Sequence, residues 1–116
     1  IFFSSIYGTE VPKFEDYPKG KIYSTIEYAA VKSGIISITK YLAKLYKKKN
    51  LRINCISPGG IKDNQSIFFQ NRYSKHCNSK GLLQSEDLVG LVEFLISDNS
   101  KFINGQNIII DDGWSL

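Results

Sequence analysis

The chain has no methionine, one tryptophan, one histidine, two cysteines and three prolines in 116 residues. These scarcities exclude several classes of protein. Cys55, Cys77 and the lone His76 lack the paired spacing of a structural zinc site, so no metal is expected. Both cysteines read as reduced thiols, in keeping with an expected cytoplasmic location. No apolar run approaches the roughly 20 residues that span a bilayer, and no secretory leader is visible, so no membrane partner is expected. A glycine-rich G-x-G-x-x-G turn after a strand is also missing. Acidic residues are outnumbered 11 to 15 by basic ones, for a net charge of +4. Much of that excess sits in Lys40, Lys44, Lys47, Lys48 and Lys49, near the end of a predicted helix, where cations offset the negative end of the helix dipole. With no recognition-helix or RNA-binding motif beside them, these lysines read as a solvated terminus, and no nucleic-acid partner is expected.

The remaining pattern is that of an α/β domain with a real core. Residues 1–5 read as a short buried strand that ends in serines. Positions 6–24 carry Pro12, Pro18, Gly20 and mixed charge, which predicts an exposed loop outside the core. Apolar residues recur at helical intervals from Thr25 to Lys48. Leu51–Ser57 is β-rich and stops at the turn Pro58-Gly59-Gly60. Positions 61–81 are polar, aromatic and irregular, with one short helix expected around Ser66–Tyr73. Ser85 reads as the cap of a further helix with Glu86 and Asp87 in its first turn, and Asn107–Ile110 as a last strand. Strands alternating with helices predict a parallel sheet with right-handed crossovers.

The chemistry-bearing feature is Tyr28-Ala29-Ala30-Val31-Lys32. A phenol and an ammonium four residues apart share one helix face. An isolated phenol titrates near pH 10, and a neighbouring cation favours its anion, which suits it to proton transfer near neutrality. Tyr17-Pro18-Lys19-Gly20-Lys21 repeats the spacing, but Pro18 and Gly20 disfavour the helix that would join its ends. Most tyrosine–lysine pairs at this spacing are ordinary surface neighbours. What singles out the first pair is its order among other motifs: Ser4-Ser5-Ile6-Tyr7-Gly8 before it, Ser33-Gly34 directly after it, Arg52 through Pro58-Gly59-Gly60-Ile61, and Asn104-Gly105-Gln106 running to Asp111-Asp112-Gly113.

Those four motifs, in that order and across nearly the whole chain, resemble the C-terminal half of a short-chain dehydrogenase/reductase. The resemblance implies a Rossmann-like parallel sheet with flanking helices, truncated on its N-terminal side. Residues 1–116 would form the C-terminal part of a single NAD(P)-binding domain, and 61–81 a mobile lid over the substrate. The glycine-rich turn for the cofactor pyrophosphate would precede Ile1, so the chain reads as part of a longer polypeptide, inactive without the rest. The implied catalytic residues are Ser5, Tyr28 and Lys32. Tyr28 would exchange the proton, Lys32 would favour its phenolate and bond the nicotinamide ribose, and Ser5 would hold the substrate oxygen. Ser5 is preferred to Ser4 because it lies three residues before Gly8. Tyr28, Lys32, Pro58, Gly59, Gly60 and Ile61 would contact NAD or NADP, with Ile61 offering a main-chain group to the carboxamide. Asp63 departs from the threonine common near that position, which would remove or redirect one cofactor contact.

The resemblance also implies a homotetramer, with Trp114, the final strand and the long helices supporting subunit packing. The runs Ser57–Gln65 and Gly105–Gly113 look most like bacterial oxidoreductases of surface-sugar and flagellin-glycan biosynthesis, including those of legionaminic-acid pathways. A sugar or sugar derivative is therefore the expected small-molecule substrate. Lys62, Arg72, Lys75 and Lys80 in the lid either face a phosphorylated or nucleotide-linked sugar or are solvated. The alternatives are a 3-oxoacyl-carrier-protein reductase of the same fold and a non-catalytic assembly module. The connection between Ser5 and Tyr28 is longer than the family's usual one, which leaves substrate class open.

Overall fold

The structure is a computed structural model that describes residues 1–21 and 24–116; Ile22 and Tyr23, within the loop expected over 6–24, lie outside the described residues. Strands β1 (Phe2–Phe3), β2 (Cys55–Pro58) and β3 (Asn107–Ile110) form a parallel sheet in the order β1-β2-β3. The connections carry helices α1 (Ile26–Leu45), α2 (Ile67–Tyr73) and α3 (Val89–Ile96). Phe2 pairs with Cys55, and Cys55 through Pro58 pair with Asn107 through Ile110. β2 is central and buried throughout, as expected of a strand covered on both faces.

The ordered strand is shorter than the predicted 51–57. The backbone of Ile53 donates to the Asn104 side chain at 2.8 Å rather than to a ladder partner. Arg52 is spent on the end of α3, where its guanidinium donates to the carbonyls of Leu95, Ser97 and Ser100 at 2.9–3.1 Å. Those carbonyls lie at and beyond a helix C-terminus, and the cation satisfies them.

Helix α1 starts where expected, with Thr25 as cap accepting from the Tyr28 N–H at 3.4 Å. It ends at Leu45, before the predicted Lys48, because the chain turns there and Lys48 adopts φ +68°. The five lysines of this end are all exposed. Ser66 caps α2 by accepting from Phe69 N–H at 3.3 Å. The helical segment after it is not capped by Ser85. Gln84 occupies that position, its N–H donating to the Asp87 carboxylate at 2.7 Å, and a 3-10 turn over Ser85–Leu88 leads into α3.

Three expectations about burial are overturned. The strand expected to be buried over 1–5 is exposed in its apolar part, with Phe2 38% and Phe3 46% exposed on the outer strand of the sheet, and only Ser4 and Ser5 are buried. The 6–24 segment is no exposed excursion, since Ile6 and Tyr17 join Phe69, Tyr73, Leu82 and Trp114 in the main apolar cluster. Asp16, in the same segment, is only 2% exposed. Its carboxylate meets Arg72 at 3.7 Å and His76 at 3.1 Å, so a polar composition did not keep the loop in water. Trp114, also 2% exposed, is the centre of that cluster rather than a surface for another subunit. Its ring stacks on Tyr73 with centroids 5.7 Å apart and meets Tyr7 edge-on at 5.8 Å.

The turn after β3 is held by its own carboxylates. Asp112, at φ +56°, accepts from the N–H groups of Ser79, Lys80 and Gly81 and from the Ser79 hydroxyl, tying the end of the 61–81 segment to the sheet. These donors, the Gly81 N–H foremost, hold its carboxyl down to about 2. A folded value below the unfolded carboxylate's contributes stability above about pH 4 that is lost as pH falls toward 2. Asp112→Asn should therefore flatten the dependence of Tm on pH in that window. An unaltered slope would reject this carboxylate as an acid-sensitive clamp.

Candidate active site

All three strands deliver their carboxyl ends to one edge of the sheet, where open α/β folds place their ligands. A cavity of about 480 Å³ lies there. Ser5, Tyr28, Lys32, Pro58, Gly59, Gly60 and Ile61 all border it. Every residue singled out in the sequence for catalysis or cofactor contact thus reaches a single space, although they come from three separate stretches of chain.

Local packing explains how they converge. Just past β1, Ser4 donates its hydroxyl to the Lys32 carbonyl at 2.7 Å, and Ser33 donates to the Gly8 carbonyl at 2.8 Å. A Cβ on Gly8 would sit 2.8 Å from Ser4 Oγ and 2.9 Å from Ile36 Cδ1, so only glycine lets this turn lie against α1. The two serines consequently divide their work. Ser4 joins the turn to the helix, while Ser5 caps the Ile6–Gly8 turn by accepting from the Tyr7 N–H at 3.2 Å. The Ser5 Oγ is engaged there as acceptor, and its O–H remains a donor group on the cavity wall.

Tyr28 and Lys32 lie in the first two turns of α1. The Lys32 ammonium is 5.4 Å from the Tyr28 ring centroid and donates to the Phe3 carbonyl at 3.3 Å. The Tyr17–Lys21 repeat is not helical; Tyr17 is extended and buried. Across the cavity, the Pro58-Gly59-Gly60 turn is shaped by Tyr73. The Tyr73 hydroxyl accepts from the Gly60 N–H at 2.6 Å. A Cβ on Gly59 would meet that hydroxyl oxygen at 2.9 Å, and one on Gly60 would come within 2.5 Å of Leu82. The glycines are thus required first by the chain's own packing. Gln65 finishes the turn by donating to the Ile61 carbonyl at 2.8 Å and accepting from the Asp63 N–H at 2.7 Å. Asp63 itself is exposed and does not border the cavity.

Sequence reasoning missed the aromatic wall formed by Tyr7, Tyr17, Phe69 and Tyr73. Tyr7 and Tyr17 share a hydrogen bond between their hydroxyls at 3.0 Å, and Tyr17 lies on Phe69 with centroids 5.0 Å apart. Burial, foremost, pushes the phenols of Tyr7, Tyr17 and Tyr73 above their ordinary value. All three stay protonated near neutrality and serve as hydrogen-bonding walls. Their only signal in the sequence was the aromatic content of 6–24 and 61–81, which does not reveal direction.

The basic residues of the 61–81 segment do not reach the cavity. Arg72 pairs with Asp16, Lys80 with Asp87, and Lys62 and Lys75 are exposed. Among the described residues, Lys32 is the one cation on the cavity lining. No group of His, Cys, Asp and Glu able to hold a metal occurs among the described residues, and no described helix is long and apolar enough to cross a membrane.

Residues 20–115 match the family described as enoyl-(acyl carrier protein) reductase. The whole chain is 46% identical to post-translational flagellin modification protein A of Campylobacter coli, over 45% of that protein's length. A 3-oxoacyl-[acyl-carrier-protein] reductase of Chlamydia pneumoniae is 37% identical over 90 residues, 74% of this chain and 36% of that protein. Among solved structures, a short-chain dehydrogenase of Leptospira borgpetersenii with bound NAD+ superposes with a TM-score of 0.90 at 41% identity, covering 98% of this chain and 43% of that one. The chain thus spans less than half the length of these relatives. The parallel sheet, the extent of the family match and the level of identity lead to one conclusion: this chain belongs to the short-chain dehydrogenase/reductase family.

Proposed function

We propose that the complete polypeptide is an NAD(P)-dependent oxidoreductase acting on a carbonyl or hydroxyl carbon of a sugar or sugar derivative. The observation that carries this reading is the convergence of Ser5, Tyr28, Lys32 and the Pro58–Ile61 turn on one cavity. The likeness of the runs Ser57–Gln65 and Gly105–Gly113 to surface-sugar and flagellin-glycan oxidoreductases, together with the 46% identity to a flagellin modification protein, supports the sugar over the acyl alternative.

The residues fit the nicotinamide end of the cofactor. Lys32 uses one N–H on Phe3 and keeps others for a ribose diol. The Ile61 carbonyl is already engaged by Gln65, so its N–H is the main-chain group for the carboxamide. Bound NAD(P) supplies or accepts the hydride. Tyr28 gives a proton to the substrate oxygen in reduction and takes one in oxidation, with the Lys32 cation favouring its anionic form. Ser5 donates its O–H to the same oxygen, orienting the reacting carbon and stabilising developing charge. Among the described residues Lys32 is the one cation on the wall, which suits an uncharged portion of substrate there, since a buried charge needs a partner. Segment 61–81 covers that portion, and the exposed apolar residues of α1, among them Val31, Ile38 and Tyr41, suit assembly into a homo-oligomer.

The test is nicotinamide-linked turnover of the complete polypeptide against sugars, sugar phosphates and acyl thioesters. Turnover of acyl thioesters alone would replace the sugar reading with the acyl reductase one. The serines give a sharper result within the same assay. Ser5→Ala should lower kcat by about 10²-fold, with a loss of about 1 kcal/mol from the turn that it caps. Ser4→Ala, which breaks the bond to the Lys32 carbonyl, should lower stability by about 1 kcal/mol and leave more of kcat intact. The reverse ranking would assign the substrate oxygen to Ser4.

A further inference from the structure

We propose that Asp16 is a positioning residue that sets the width of the substrate cavity, by anchoring Tyr17 against α2 through a triad in which its buried carboxylate meets Arg72 and His76. The proposal rests on the oxidoreductase reading of the cavity. The Asp16 carboxylate is 3.1 Å from His76 Nε2 and 3.7 Å from Arg72 Nε. Its side chain is only 3% exposed. A carboxylate withdrawn this far from water loses its hydration and is retained where cations and hydrogen bonds replace it. Both partners come from one stretch, the end of α2 and the turn after it, so the triad fastens the 6–24 segment to that stretch at a single point.

The next residue, Tyr17, is part of the cavity wall. Its ring rests on Phe69, Phe69 rests on Tyr73 at 5.6 Å, and Tyr73 holds the Gly60 N–H. The wall therefore has two anchors. Tyr73 fixes the end nearest the Pro58–Gly60 turn, and Asp16 fixes the end reached from the 6–24 segment. The Tyr17 ring is itself held by Phe69 and by the bond between its hydroxyl and that of Tyr7, and the triad adds a fixed point for the backbone beside it. With the triad intact the site admits a compact ring; with it broken, Tyr17 withdraws and the site accepts a bulkier group.

The experiment uses the complete polypeptide, with Asp16→Asn and, from the other side of the triad, His76→Gln. Activity is read on the hexose or hexose phosphate that the parent turns over best and on its benzyl glycoside. In both variants the ratio of kcat/KM for the compact substrate to that for the glycoside should fall about tenfold, through KM rather than kcat. If Asp16→Asn loses its cooperative melt, His76→Gln, which keeps Arg72 on the carboxylate, decides the matter. A ratio within about twofold of the parent's, or an equal loss of kcat on both substrates, would overturn the proposal, since a purely structural role has no reason to discriminate between them. Cofactor-dependent turnover in the parent with an unmoved ratio sinks this proposal alone; no such turnover in the folded parent sinks the oxidoreductase reading and this proposal with it.

Discussion

Tyr28→Phe in the complete polypeptide should lower kcat/KM by about 10²- to 10⁴-fold, the range that a positioned general acid or base supplies. The substitution isolates the hydroxyl. The ring borders the cavity and is 42% exposed, so loss of one oxygen opens no buried hole. Phenylalanine also keeps an aromatic face for the Lys32 ammonium, which lies 5.4 Å from the centroid. The Lys32–Phe3 bond and the Ser4–Lys32 bond, which seat the helix, do not involve the phenol. Tm should therefore stay close to that of the parent while kcat collapses. Turnover within about threefold of the parent would remove Tyr28 from proton transfer, because no acid or base contributing the expected amount can be deleted so cheaply.

Trp114→Ala should produce the largest loss of stability, about 3–5 kcal/mol by urea denaturation. That is a large fraction of the 5–15 kcal/mol typical of a folded domain. The indole touches the structure on all sides: Tyr73 stacks on it, Tyr7 and His76 meet it edge-on, and the Lys13 ammonium sits 4.5 Å from its ring. Its N–H has no hydrogen-bond partner among the described residues. Trp114→Phe should for that reason be much milder than Trp114→Ala, since the lost nitrogen breaks no bond and only part of the ring volume is missing. Because Tyr7 and Tyr73 both line the cavity, the alanine variant should also raise substrate KM. A loss below about 1 kcal/mol would show that the aromatic cluster is not the core that it forms in the structure.

Much of the candidate site was legible in the chain because its signals are short-range. A period of 3.6 puts Tyr28 and Lys32 on one helix face wherever the helix goes. Thr25 and Ser66 cap their helices through hydroxyls three residues from the N–H groups they accept. The strand at Asn107–Ile110 and the turn after β2 announced themselves by β-rich composition and by Pro58-Gly59-Gly60. The expected start of the third helix failed by one residue because Gln84, through the Asp87 carboxylate, took the place that Ser85 was given.

What the sequence by itself determined is the order of strands and helices and the set of groups that carry the proposed chemistry, since capping, periodicity and turn chemistry act within a few residues. Only the tertiary structure decided which side of each residue faces the core. Asp16 is buried because its partner His76 lies 60 positions away. Ser4 is separated from Ser5 by a carbonyl 28 positions away. Gly59 and Gly60 are demanded by Tyr73, and Trp114 is internal because Tyr7 and Tyr73 enclose it. Burial of a polar or aromatic group depends on partners brought close by folding, and no local pattern encodes where they will come from.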